Sequence, residues 1–189
     1  MLPTHTELFA QIGKYNINFP AEAKTVKTFQ EFVKRNAENS VFDRKNFDGH
    51  FTASAFLLNN VGTHLLFLQH KKLNRWLQPG GHIDDTDESI LEAALREVEE
   101  ETGLQRTDLK VVSGDIFDLD AHAIPENPKK DEAAHIHFDV RYLFKVTNES
   151  NIKVNLGEAE DLKWVTFDEV KTLDGFERVG EKLERLKRI

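Results

Sequence analysis

A single amphipathic run bounded by glycines sets the terms on which this chain can fold. Gln78-Pro79-Gly80-Gly81 breaks local order, and over about 87–102 apolar and charged residues recur at helical spacing until Gly103, a residue suited to a helix C-cap. Apolar runs of a different kind surround it. Residues 51–58 and 64–70 are short and apolar, and Asn59-Asn60-Val61-Gly62-Thr63 between them has turn chemistry, so the pair reads as a β-hairpin. Residues 108–119 and 135–146 are further strand candidates. A polar loop with two prolines, 120–134, separates them; a loop of that length in a compact domain is usually functional or mobile. Residues 161–166 read as a short strand, 167–173 as a short helix and 176–189 as a charged amphipathic helix. Upstream of Asp48-Gly49-His50, residues 4–38 read as helical, with Ala23, Val26, Phe29 and Val33 at helical spacing and Pro20 where a first turn tolerates it. Strands mixed with helices, without repeats, low-complexity stretches or a linker, predict an α/β or α+β sandwich.

Composition narrows the chemistry. The chain has 189 residues, enough for one domain or one domain with an extension. It has no cysteine, which excludes disulfides, a thiol nucleophile and Cys-ligated zinc or iron–sulfur sites. Lys and Arg total 25 against 33 Asp and Glu, a net charge of −8, so no extended nucleic acid is expected as partner. Hydrophobic residues at 39%, with 14 Phe, indicate a folded core. No apolar run reaches the ~20 residues of a membrane helix and the N-terminus lacks the look of a targeting segment, so the expectation is a soluble cytoplasmic protein.

The helix itself carries the strongest chemical signal. With Glu97 at zero on a helical wheel, Glu101 lies near about +40° and Glu100 near about −60°. Ala93 and Ser89 fall on the same side and are small, while Ile90, Leu91, Ala94, Leu95 and Val98 form the adjoining apolar sector. Like charges at these spacings repel, and they sit toward the helix C-terminus, where the macrodipole disfavours anions. A cation would relieve both penalties, and three oxygen donors on one rigid face suit Mg²⁺ or Mn²⁺. Residues alone leave a second reading open, a solvated acidic face.

The wider stretch resembles the Nudix box. Arg96-Glu97-Val98-Glu99-Glu100-Glu101-Thr102-Gly103-Leu104 matches its second half at every position, and Glu88 precedes Arg96 with seven residues between them, as the family requires. Six residues separate Gly81 from Glu88 where the family usually has five, and Asp84-Asp85-Thr86-Asp87 carries the insertion. The resemblance implies a Nudix-type α/β/α sandwich with a mixed sheet, residues 48–189, preceded by an added N-terminal helical segment over 1–47. It also implies a metal-dependent hydrolase that cleaves the pyrophosphate link of a nucleoside diphosphate joined to another group X. By matching position, Glu97, Glu100 and Glu101 would bind Mg²⁺ or Mn²⁺, with Glu97 also a candidate base; Gly81 would offer its backbone carbonyl; Glu88 would pair with Arg96 and hold the loop to the helix.

Outside the box, His135, His137, Asp139 and Arg141 occupy alternate positions on a strand and face one side. Such a row can bind a transition metal, or recognise an anionic substrate with Arg141 on a phosphate, or be a polar sheet face. His82, beside the glycines, is a further substrate-contact candidate. Gly49-His50-Phe51-Thr52-Ala53-Ser54 and Trp76–His82 resemble stretches of a Nudix subgroup of unassigned substrate. Trp76 and Phe117 are candidates for stacking on a base or for core packing, and Asp131, Glu132, Glu158 and Glu160 are alternative general bases. The N-terminal segment would cover the substrate pocket, form a homodimer surface or simply pack. The competing functional readings are a non-catalytic Nudix-fold binding or sensor protein, which often lacks a box glutamate, and a His-row metal protein. A Nudix-fold isopentenyl diphosphate isomerase is disfavoured because that chemistry uses a cysteine.

Overall fold

The computed structural model describes residues 1–37 and 40–186. The N-terminal helical stretch is two helices. α1 (His5–Asn18) opens on a capping box, in which Glu7 N–H donates to Thr4 Oγ1 at 3.3 Å and Thr4 N–H donates to the Glu7 carboxylate at 2.8 Å. It ends at Phe19, because Pro20 has no N–H to continue it; a 3₁₀ turn (Pro20–Glu22) leads into α2 (Ala23–Arg35). Residue 38, included in the expected helix, lies outside the described residues.

The strands among the described residues are β1 (His50–Leu58), β2 (His64–His70), β3 (Arg75–Leu77), β4 (Gly80–His82), β5 (Leu109–Val111), β6 (Asp118–Ile124), β7 (His135–Val146) and β8 (Ala159–Thr166). The helices after β4 are α3 (Ile90–Thr102), α4 (Phe167–Val170) and α5 (Glu177–Leu186). The strands order as β3-β2-β1-β7-β5, with β4 on β1, β6 on β7 and β8 on β2. Among the described residues no helix is long and apolar enough to cross a membrane.

Several of the expected elements differ from the structure. The strand expected over 108–119 is two strands, β5 and β6, parted by an irregular turn around Ser113–Ile116. The loop expected over 120–134 is shorter, because residues 120–124 continue β6 in register against β7, from Asp118 opposite Arg141 to Ile124 opposite His135. β3 and β4 were too short, and too rich in glycine in the second case, to show a strand pattern. The helix expected from 87 begins at Ile90, and those expected over 167–173 and 176–189 are Phe167–Val170 and Glu177–Leu186; residues 187–189 lie outside the described residues.

The chain divides into two compact units that interleave in sequence. The first comprises Met1–Ser54, Gly80–Glu97 and Ser113–Tyr142. In it, β4 lies antiparallel to the start of β1, with Thr52 opposite His82, Ala53 opposite Gly81 and Ser54 opposite Gly80. Its core is an aromatic cluster: Phe32 of α2 stacks on Phe138 of β7 at 4.0 Å between ring centres, and Phe29 meets the same ring edge-on at 5.2 Å, with Phe51 of β1 alongside. The 1–47 segment thus joins this unit through the buried face of α2, formed by Val26, Phe29, Phe32 and Val33. The second unit comprises Ala55–Pro79, Val98–Val112 and the chain from Leu143 onward. There β2 pairs with both β3 and β8, β5 pairs with the end of β7, and Phe176 packs edge-on against Phe56 and Phe67.

Phe138 is 1% exposed and touches three other rings, so Phe138→Ala should cost about 3–5 kcal/mol of folding stability. Urea unfolding followed by far-UV circular dichroism measures it; a loss under about 1 kcal/mol would mean that the aromatic cluster does not hold this unit together.

Candidate active site

α3 buries Ile90, Ala93, Ala94, Leu95 and Val98 and turns its carboxylates away from that sector. Its N-terminus is capped by Ser89, whose Oγ accepts from Glu92 N–H at 3.1 Å, which is why the helix starts later than residue spacing suggests. Its C-terminus closes at Gly103, with φ +69° and its N–H bonded to Glu99 O. The carbonyls of Glu101 and Thr102 accept from Asn155 N–H and Lys153 N–H at 2.9 and 2.7 Å.

Glu97 is the exceptional carboxylate. It is only 9% exposed, and its Oε1 accepts from Arg96 Nη1 at 2.9 Å. Its carboxylate lies directly over Gly81: a Cβ on that residue would come within 2.5–2.7 Å of the Glu97 carboxylate atoms. A side chain on Gly81 would therefore displace the Glu97 carboxylate from its place beside Arg96. Gly80 has a different reason, since a Cβ there would meet Ala53 O at 2.8 Å and overlap Ser54. Glu101 is half-buried and Glu100 exposed, one turn further along the same helix. The i, i+3, i+4 spacing puts all three on one helix face.

Arg96 does not pair with Glu88. Its Nε and Nη2 each bond to Asp87, at 3.1 Å, and Nη2 also donates to His82 O at 2.8 Å. Asp87 is itself pinned by a turn in which its N–H donates to Asp84 O and its Oδ2 accepts from Asp84 N–H. Glu88 is exposed. Five residues separate Gly81 from Asp87, so Asp87 stands at the spacing expected of the box acid, and the extra residue falls after it, between the acid and the helix.

The histidine row gathers more than its own strand. His135 and His137 on β7 meet His50 on β1 and His82 on β4, with ring centres 4.7–5.3 Å apart for the pairs His50–His82, His50–His135, His50–His137, His82–His137 and His135–His137. Burial, with the neighbouring His82, lowers the His50 pKa to about 4; burial, with His50, lowers that of His137 to about 2. Burial, then Arg44, also lowers His82. All three rings are therefore neutral at pH 7. His50 was not singled out from sequence, although alternation on β1 places it on one face with Thr52 and Ser54, and both of those reach the β7 row.

Asp139 and Arg141 form a separate buried node. Asp139 Oδ1 accepts from Thr52 Oγ1 and Ser54 Oγ at 3.0 and 2.9 Å, and its Oδ2 accepts from Arg141 Nε at 2.7 Å. Arg141 also donates to Asp118 at 3.1 Å and Asp120 at 3.0 Å. Burial opposes its charge, but Asp139, Asp118 and Asp120 outweigh that and push its pKa up. The phosphate contact expected of Arg141 does not fit this placement: the residue is 5% exposed and its guanidinium is directed at three carboxylates. Asp139 is likewise 2% exposed and acts inside the sheet. Of the stacking candidates, Phe117 is buried, and Trp76 lies under Lys163 Nζ at 4.3 Å. Of the alternative bases, Asp131, Glu158 and Glu160 are exposed and Glu132 pairs with Arg44 at 3.2 Å.

A model of the NUDIX domain matches residues 49–186. The chain belongs to the Nudix family. It is 31% identical over 140 residues to a probable DHNTP pyrophosphohydrolase of Lactococcus lactis, a match covering 74% of this chain and 78% of that protein. It is 29% identical over 129 residues to the asymmetrical bis(5'-nucleosyl)-tetraphosphatase of Rattus norvegicus, covering 67% and 80%. Among solved structures, an Ap4A hydrolase of C. elegans in a binary complex has the same fold at a TM-score of 0.56 and 19% identity, covering 73% of this chain and 95% of that one. The dihydroneopterin triphosphate pyrophosphohydrolase of E. coli does so at 0.57 and 16%, covering 71% and 92%. The expected Nudix fold, a mixed sheet with flanking helices and an N-terminal helical segment, is thereby established, and with the family comes the reaction class, hydrolysis of a phosphoanhydride.

Two outcomes test these placements. Asp87→Asn should lower stability by about 1–3 kcal/mol, since it strips a charge from a bidentate and largely buried pair, while Glu88→Gln should leave the thermal midpoint unchanged. The reverse order would return Glu88 to its expected role. Arg141→Met should reduce stability by about 3–5 kcal/mol by leaving buried carboxylates unpaired. A raised KM at an unchanged thermal midpoint would instead make Arg141 a substrate ligand.

Proposed function

We propose that this Nudix protein is a divalent-metal-dependent hydrolase that cleaves the pyrophosphate link of a small nucleotide, a nucleoside diphosphate joined to X. The observation that carries the reading is the Glu97 carboxylate, buried, held by Arg96 and seated over Gly81. A buried carboxylate is costly to desolvate, so a site that keeps one beside two more on the same helix face has a use for its charge.

The donor set fits a hard divalent ion: Glu97, Glu100 and Glu101 would hold Mg²⁺ or Mn²⁺, joined by the Gly81 carbonyl, with oxygen donors throughout. When bound, such an ion neutralises charge on the pyrophosphate and lowers the pKa of a bound water. The protein's own residues then divide the remaining work. Arg96 orients Glu97 through its Nη1, and Asp87 and the His82 carbonyl fix Arg96 in turn. The Glu97 carboxylate receives the proton of the attacking water. His82 and His137, both held neutral by burial, would contact the substrate as polar groups.

The relatives' names set the order of substrates to try. Dihydroneopterin triphosphate and dinucleoside tetraphosphates come first, then nucleoside triphosphates, ADP-ribose, sugar nucleotides and NADH, each with Mg²⁺ and with Mn²⁺. Turnover of one member, abolished by EDTA and restored by either ion, is the expected result. On that substrate, Glu97→Gln and Glu100→Gln should lower kcat by at least ~10², because preorganised electrostatic contacts of this kind are typically worth ~3–4 kcal/mol. Glu99→Gln, about 160° around the helix from Glu97, should be quiet. Full turnover without metal, or equal losses at all three positions, would overturn the reading; nucleotide binding without any turnover would make the protein a sensor.

A further inference from the structure

The strands that pair beside the box also build a cluster of a different chemistry. His50 on β1 and His135 and His137 on β7 each place one imidazole nitrogen so that all three lie within 4.8 Å of one another. The proposed hydrolysis takes its metal ligands from oxygen donors and does not require three converging imidazole nitrogens. We propose that His50, His135 and His137 form a second metal site, one that binds a late first-row divalent transition metal ion of the Zn²⁺ class. The proposal does not rest on the hydrolase reading.

Three observations carry it. The first is geometric. Nitrogens at ~2.0–2.1 Å from a tetrahedral zinc ion are separated by about 3.3 Å, so small side-chain rotations bring the three atoms into a ligand set. The second is hydrogen-bond accounting. His50 Nδ1 and Nε2 and His137 Nε2 are buried with no hydrogen-bond partner. A buried polar atom left unsatisfied costs ~1–3 kcal/mol, and such atoms are uncommon without a functional reason. A neutral imidazole carries one lone pair, so a metal ion would take one nitrogen from each ring. The third is the partner of His135. Its Nδ1 lies 2.7 Å from Ala133 O. A carbonyl oxygen only accepts, so Nδ1 carries a proton and Nε2 is the nitrogen left to face a metal ion. A backbone carbonyl on the far nitrogen is how metal-bound histidines are commonly oriented.

The donor type selects the ion. Three imidazole nitrogens suit zinc, copper, nickel or iron, whereas Mg²⁺ requires oxygen ligands, so this site and the α3 carboxylates draw on different ions. Three protein donors leave a fourth position open. His82 stands next to the cluster, 5.2 Å from His50 and 5.3 Å from His137 between ring centres, and either it or an anionic oxygen of a ligand can complete the shell.

The test uses the full chain, stripped with EDTA, dialysed, and titrated calorimetrically with Zn²⁺ in the presence of excess Mg²⁺. One Zn²⁺ per chain is expected, and titration with Co²⁺ should give the visible absorption of a four-coordinate nitrogen-ligated ion. His50→Ala and His137→Ala should weaken Zn²⁺ binding by at least ~10², more than the loss of an outer-shell partner would. Glu100→Gln should leave Zn²⁺ affinity unchanged. If either variant fails to fold, the Co²⁺ spectrum of the unaltered protein decides alone. No stoichiometric Zn²⁺ binding, a Co²⁺ spectrum typical of oxygen ligands, or affinity that follows Glu100 and not the histidines would overturn the proposal.

Discussion

The guanidinium of Arg96 meets a loop, a strand and a helix at once, and the candidate site depends on that meeting. Its bonds run to both oxygens of Asp87, to the carbonyl of His82 on β4 and to the carboxylate of its own neighbour Glu97. Arginine suits the task because its planar fork presents several donors in fixed directions and stays charged when partly buried. A lysine could neutralise one carboxylate but could not hold all three partners in register. With Arg96 in place, Glu97 is held over Gly81, where a side chain would push its carboxylate aside.

A second arginine performs a comparable task within the sheet. Arg141 joins Asp118 and Asp120 of β6 to Asp139 of β7, and Asp139 reaches on to Thr52 and Ser54 of β1. Three strands are thereby linked by charge-assisted bonds in a region from which water is largely excluded. The same face of β7, one and two alternations earlier, carries His137 and His135. The ionic node and the imidazole cluster are neighbours along one strand face, and the node gives that face a rigid floor. The row that alternation puts on one face is thus two parts: an inner half that holds strands together and an outer half of clustered imidazoles.

How much was legible follows from the range of the forces involved. Periodicity exposed α3, the hairpin of β1 and β2, and β7, because each obeys a local repeat over many residues. It failed at β4, whose three residues include two glycines, and at β6, whose polar residues Asp120 and His122 read as loop. β6 is a strand because β7 supplies its hydrogen-bond partners, and no local preference reports that. Asp87 was passed over for Glu88 for a similar reason: both are acids at nearly the right spacing, and only the turn that bonds Asp84 to Asp87 decides which one lies beneath Arg96.

The sequence by itself determined the family, the reaction class it carries, and the helix that bears the three glutamates, since these depend on residue identities at short fixed spacings along one helix. Only the tertiary structure decided that Arg141 and Asp139 serve the interior, that Asp87 anchors Arg96, and that His50 joins His135 and His137. Those outcomes depend on which strands lie side by side. A strand's two faces are evident from alternation, but the register that sets His50, Thr52 and Ser54 against the β7 row is fixed by long-range hydrogen bonding and core packing, which no local pattern contains.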